Sequence, residues 1–180
     1  ASAPFEEGYL DLCIKRVEQG PGSNWFWQLK EGAPVQVSLP YGKFLMTEPF
    51  NYDFIFVATG TGIAPFRGMI LTLYHNQLIP AGRKCWLIFG VRHEDEILYD
   101  LEWKKLAKQQ RNFHYIPTVS RPKQWSGETG YVQDKLKKFV TDPAGKRIYV
   151  CGLTPMIEAV TKAALEIGFK KEQIHFEKYA

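Results

Sequence analysis

Five short apolar runs, separated by amphipathic stretches, constrain this chain more than any other feature. They are FIFVAT (Phe54 to Thr59), KCWLIFGV (Lys84 to Val91), FHYIPTV (Phe113 to Val119), RIYVCG (Arg147 to Gly152) and IHFEKY (Ile174 to Tyr179). A short run that is apolar at consecutive positions suits a strand covered on both faces, as in a parallel sheet. Between the runs, Phe66, Met69, Ile70 and Leu73 recur at three and four residues. So do Tyr99, Trp103 and Leu106, and later Met156, Val160, Ala163 and Ile167, each group marking one apolar helix stripe. The alternation predicts an α/β fold: a five-stranded, parallel, doubly wound domain over residues 49–180.

The first 48 residues have a different period. YLDLCIKRV (Tyr9 to Val17) and PVQVSL (Pro34 to Leu39) alternate apolar and polar positions, GPGS (Gly20 to Ser23) reads as a turn, and PYG (Pro40 to Gly42) as another. This predicts a short antiparallel β segment. Its strands are too few to close a barrel or bury two faces, so it packs on something else or is part of a larger β domain. KRVEQGPGSNW and TEPFNYD read as loops.

Composition narrows the function classes. With 180 residues, 45% of them hydrophobic, the chain can bury a core, and its apolar runs are too short to span a bilayer. The start, ASAPFEEGYL, has neither the basic flank nor the apolar core of a signal peptide. Cys13, Cys85 and Cys151 are odd in number and lack metal-ligand spacing, which argues against a disulfide scaffold, a zinc site or an iron–sulfur cluster. A cytoplasmic or other reducing compartment is the expectation. The net charge of +4 is modest, and Lys104, Lys105, Lys137 and Lys138 fall on expected helix surfaces, so no nucleic-acid partner is predicted. HEDE (His93 to Glu96) combines an imidazole with carboxylates, but adjacent residues on a loop diverge, and no metal site is expected. Glu94 or Asp95 could instead meet a ribose diol, which would favour NAD.

The stretch ATGTGIAPFRG (Ala58 to Gly68) joins the first apolar run to the first stripe. Gly60, Thr61 and Gly62 then form a loop between strand and helix, with Pro65 in the first helical turn. Free backbone N–H groups and the positive end of the helix dipole would hold an anionic phosphate there, and side chains at Gly60 or Gly62 would obstruct its approach. The same glycines would also serve a tight turn with no ligand.

GTGIAPFRG resembles the ferredoxin–NADP reductase family, including the reductase module of diflavin enzymes. FGVR with Leu98 and Tyr99, VSR followed by GYVQ, CGL with Met156, and the terminal FEKY carry the same resemblance. LCIKR resembles a strand of that family's flavin domain, GPGS the turn beneath the FAD pyrophosphate, and LPYGKF the strand end leading to the nucleotide domain. The resemblance implies that residues 1–48 are the C-terminal part of an FAD-binding barrel, whose Arg-x-Tyr-Ser motif and first half would precede Ala1.

By resemblance, Gly60, Thr61, Gly62, Ile63 and Pro65 form the NADP pyrophosphate site, and Arg92 reaches a nucleotide phosphate. Ser120 and Arg121 hold the adenosine 2′-phosphate, Tyr131 stacks on adenine, and Gln133 adds a polar contact. Gly152, Leu153 and Met156 line the nucleotide, while Cys151 positions the nicotinamide. Glu177 sets polarity or proton supply at the flavin, and Tyr179 covers its ring, with Ala180 following where some members end on the aromatic. Cys13, Lys15, Gly22 and Ser23 serve the adenosine and pyrophosphate side of FAD. The implied activity is hydride transfer between NADPH and FAD, NAD being the less favoured coenzyme. Single electrons then pass to or from ferredoxin, flavodoxin or another carrier. Rival readings are a non-catalytic NADP-binding module, a subunit completed by another polypeptide, and an NADH-dependent oxygenase reductase component.

Overall fold

The computed structural model describes residues 1–39 and 41–179. Five strands form where the apolar runs predict them: β1 (Asp53–Thr59), β2 (Cys85–Val91), β3 (Phe113–Val119), β5 (Lys146–Leu153) and β6 (Ile174–Tyr179). A sixth, β4 (Glu128–Thr129), is only two residues long and carries no apolar run, which is why the sequence pattern does not reveal it. Every pairing is parallel, in the order β4-β3-β2-β1-β5-β6. The order turns back at β1, whose neighbours are β2 and β5, and a crevice opens at such a switch point beyond the carboxyl ends of the strands.

Helices cover both faces. On one, α2 (Ala64–His75) and α3 (Asp100–Gln109) bury Phe66, Ile70, Leu73 and Trp103 against Phe54, Phe56, Leu87, Phe89 and Tyr149. On the other, α4 (Val132–Phe139) and α5 (Thr154–Ile167) bury Leu136, Val160, Ala163 and Ala164 against Ile55, Val57, Ile88, Ile148 and Val150. Odd and even positions of β1 thus serve opposite cores, as the pleat requires. Tyr99, expected within the α3 stripe, is instead the residue that caps that helix, in the left-handed conformation at φ +58°.

Residues 1–48 depart from expectation. Among those described, none forms a strand: YLDLCIKRV and PVQVSL have no ladder partner, and Tyr9, Leu12, Val17, Val35 and Val37 are exposed. Period-2 alternation specifies which residues share a face, and it does not supply the neighbouring strand that a ladder needs. The PYG turn includes Pro40 and lies outside the described residues. GPGS is the beginning of a helix, α1 (Pro21–Gln28), and not a turn. Pro21 stands at its first position, and the Asn24 amide donates back to the carbonyls of Val17 (3.1 Å), Glu18 (3.0 Å) and Gly20 (2.9 Å).

Contacts at both ends of this segment tie it to the sheet domain. Arg67 of α2 is buried, its guanidinium donating to both oxygens of Glu6 (2.9 and 3.0 Å) and both of Glu102 (2.8 and 2.9 Å). At the other end, the Tyr52 hydroxyl donates to the Thr47 carbonyl (2.8 Å) and meets Tyr149 (3.0 Å), while Phe44, Met46 and Phe50 pack on the first core.

Candidate functional site

β1 delivers the glycine stretch to the carboxyl edge of the sheet, where Gly60–Ile63 make one 3₁₀ turn that runs directly into α2. Gly60 has φ +53°, a conformation that costs a side-chain-bearing residue, and nothing lies within 4 Å of where its Cβ would be. Gly62 is small for another reason. A Cβ there would overlap the Cys151 carbonyl, so the close approach is made by the backbone of β5. This corrects the expectation that its smallness leaves room for a phosphate. Ile63 is fully buried, so its side chain faces the core and not a ligand, and Pro65 sits at the second position of α2. No acidic residue and no capping side chain occupies the first turn of either helix, so no anion of the chain itself competes for the positive end of the dipole there.

Next along the edge, β2 and β3 end together. The Ser120 amide bonds the Val91 carbonyl (3.0 Å) and the Arg121 amide the Arg92 carbonyl (2.8 Å), so the ladder continues one step past both strands. Arg92 and Arg121 are both exposed, and among the described residues no carboxylate engages either guanidinium. The Ser120 hydroxyl donates to the Val91 carbonyl (3.3 Å), leaving its lone pairs free. Tyr131 caps α4 and is 63% exposed; Gln133 follows in the first turn of that helix. The Glu94 carboxylate is engaged, accepting the backbone amides of Lys123 (3.2 and 3.3 Å) and Gln124 (2.5 Å). The Gln124 amide is the main reason its pKa lies below the usual carboxylate value.

On the opposite side of the glycine turn, β5 and β6 bring Cys151 into register with Glu177, Gly152 with Lys178, and Leu153 with Tyr179. Cys151 is fully buried, and burial pushes its thiol up to about 12, against a smaller lowering by the Tyr179 hydroxyl. Burial also raises the Tyr179 phenol, with the Cys151 thiol the next cause. A Cβ on Gly152 would lie 2.5 Å from the Met156 methyl and 2.7 Å from the Thr59 hydroxyl, so Thr59, Gly152 and Met156 form one packed corner. Leu153 is exposed beside it, and Ala180 lies outside the described residues.

The N-terminal residues approach the same edge from the α2 face. Lys15 Nζ lies 3.8 Å from Glu96, and the Cys13 thiol is one of the groups, after burial, that raise the Tyr99 phenol. Gly22 and Ser23 stand in the first turn of α1, which has no capping side chain and no acidic residue. The Ser23 hydroxyl is already engaged, accepting from the Val17 amide (3.0 Å) and donating to the Gly20 carbonyl (3.2 Å). Among the described residues, no group of three or more His, Cys, Asp or Glu is arranged around a metal position, and no helix is long and apolar enough to cross a membrane.

Arg67 belongs to GTGIAPFRG but escaped the sequence reading. Its sign is a cation between Phe66 and Ile70 on an apolar stripe, with acids far away in sequence at Glu6 and Glu102.

Comparison with known proteins decides the family. Residues 56–162 match the oxidoreductase NAD-binding domain. The chain is 34% identical to ferredoxin–NADP reductase B of Sorangium cellulosum, over 99% of this chain and 75% of that protein. The chain belongs to the ferredoxin–NADP reductase family of FAD-dependent NAD(P)H oxidoreductases. It is also 31% identical to the phenol hydroxylase P5 protein of Acinetobacter pittii, over 99% of this chain and 51% of that one. The CS-b5R domains of human Ncb5or, solved in the NAD+ form, superpose with a TM-score of 0.80 at 28% identity, covering 91% of this chain and 47% of that one. The chain therefore spans about half the length of the latter two.

The family's groups fit the residues present. The open space above Gly60, the uncapped 3₁₀ turn and two unpaired guanidiniums suit a coenzyme with several phosphates. For FAD, the uncapped start of α1, with nothing within 4 Å of a Cβ on Gly22, suits an anion.

Proposed function

We propose that this chain is the nucleotide-binding part, with an adjoining flavin-domain segment (residues 1–48), of an NADPH-dependent flavoprotein. In it a hydride passes between NADPH and the flavin, and single electrons pass to or from a carrier of the ferredoxin or flavodoxin class. The observation that carries this reading is the meeting of the glycine turn, the Cys151–Gly152 strand end and Tyr179 at one sheet edge, beside the switch point at β1.

In this reading the start of the turn formed by Gly60, Thr61, Gly62 and Ile63 holds the coenzyme pyrophosphate, and Arg92 reaches one of its phosphates. Ser120 and Arg121 take the 2′-phosphate, a guanidinium offering the bidentate, charge-assisted contact that this dianion favours. Tyr131 stacks on the adenine, and Gln133 supplies a polar contact. Cys151 orients the nicotinamide: with its pKa raised by burial the thiol stays protonated near neutrality, so it donates weakly and does not attack. Glu177, one strand over and in register, sets the local charge. Tyr179 closes the site, and the N-terminus of α1 with Lys15 receives the flavin pyrophosphate. FAD, when bound, supplies the hydride acceptor and the one-electron chemistry.

The test is anaerobic reduction of the FAD-loaded protein followed by flavin absorbance. Cys151→Ala and Glu177→Gln should each slow hydride transfer by more than they weaken NADP+ binding. Arg121→Ala should lower the NADPH-over-NADH ratio of kcat/KM by about ten- to a hundredfold, the worth of a charged hydrogen-bonded contact. Preference for NADH in the unaltered protein would remove the coenzyme assignment; unchanged transfer rates in both other variants would remove Cys151 and Glu177 from the reacting centre.

A further inference from the structure

HEDE binds two loops together. The Glu96 carboxylate accepts the amides of Arg92 (3.0 Å) and His93 (3.1 Å), fixing the backbone that leaves β2. His93 Nδ1 lies 2.8 Å from the Arg121 carbonyl, which can only accept, so Nδ1 carries the proton. Glu94 accepts the amides of Lys123 and Gln124 on the far side of Arg121. His93 and Glu94 thus grip the loop after β3 on both sides of Pro122, immediately beyond Arg121, whose exposed guanidinium has no carboxylate partner among the described residues.

We propose that His93 and Glu94 are positioning residues for coenzyme selectivity, holding Arg121 where the 2′-phosphate binds without touching the coenzyme themselves. The proposal rests on the reading above that assigns the 2′-phosphate to Ser120 and Arg121. Without its two anchors the loop spreads over many backbone conformations, and a bound phosphate must then offset the cost of ordering it. Because Glu94 is an anion near a phosphate site, the opposite sign is also physically defined. If it acted only by charge repulsion, its removal would tighten phosphate binding. Its engagement with two amide dipoles is what makes anchoring the stronger effect.

The experiment is calorimetric titration of the full chain with adenosine 2′,5′-bisphosphate and with 5′-AMP, for the unaltered protein, Glu94→Ala, Glu94→Gln and Arg121→Ala. Glu94→Ala should weaken the bisphosphate by roughly three- to tenfold, the loss of one or two charge-assisted hydrogen bonds near solvent, and leave 5′-AMP within about twofold. Unchanged 5′-AMP binding also shows that the variant is folded. Glu94→Gln keeps a carbonyl acceptor without the charge and should stay within about twofold for both ligands. Bisphosphate binding that is unchanged or tighter in Glu94→Ala, or an equal loss for both ligands, overturns the positioning role. If Arg121→Ala weakens the bisphosphate while Glu94→Ala does not, only this proposal fails. If Arg121→Ala has no effect, the 2′-phosphate reading fails and takes the proposal with it.

Discussion

Residues 49–179 and the segment before them are similarly rich in large apolar side chains but use them in opposite ways. In the sheet domain Trp103 is fully buried, along with Phe54, Phe56, Phe66 and Phe89, because α2 and α3 lie within reach of the strands they cover. In the earlier segment Trp27 is 64% exposed, and the alternating Leu12, Ile14, Val35 and Val37 are exposed as well. A βαβ succession brings its own cover, since each crossover helix returns over the strands it joins. An alternating strand pattern brings none, and its apolar face becomes a core only when another layer packs on it.

Paired substitutions break this comparison most strongly if it is wrong. Trp103→Ala should cost about 3–5 kcal/mol in urea unfolding, as for other fully buried tryptophans, and Trp27→Ala should stay within about 0.5 kcal/mol. Similar costs at the two positions would mean that the segment has a core of its own. Next in size is Gly62→Ala, whose methyl overlaps the Cys151 carbonyl and should destabilise by about 1–3 kcal/mol even in the absence of coenzyme. A neutral result by thermal unfolding would restore the view that Gly62 is small only for the sake of a ligand.

The third prediction concerns the joint between the two regions. Hydrogen bonding to Arg67, then to the Ala3 amide, lowers the Glu6 carboxyl from 4.5 to about 2. A depressed carboxylate pKa stabilises the folded state above the unfolded value, and that stabilisation is lost as pH falls from about 4.5 towards 2. Urea unfolding across this window should show the unaltered protein losing stability more steeply than Glu6→Gln, with the gap between them closing at the acid end. Parallel curves would mean that the Arg67 contact does not hold the segment in solution.

Much of the fold was legible because burial on both faces leaves a strong mark. β3 and β6 begin and end at the residues the apolar runs indicate, and α2 and α5 carry their stripes inward. What stayed hidden depended on partners remote in sequence. The two residues of β4 have no period to read, and GPGS became a helix start once Asn24 turned back on three carbonyls. Within the site, the glycines announced a close approach without saying whether ligand or chain made it. HEDE offered its donors and acceptors, but their partners at Arg121, Lys123 and Gln124 lie about thirty residues away. The edge at which Arg92, Arg121 and Cys151 gather follows from parallel pairing, and so it was visible as soon as the sheet was.

The central claim is that the carboxyl edge of this sheet, and not the exposed apolar segment, receives the dinucleotide. Backbone amide shifts of the isotopically labelled chain, recorded while NADP+ is titrated in, test it most directly. The amides of Gly60, Thr61, Gly62, Ile63, Arg121 and Gly152 should move together along one saturable curve, with Val35 and Val37 unmoved. Shifts confined to residues 9–39, or to α5 and β6 away from the glycine turn, would contradict it.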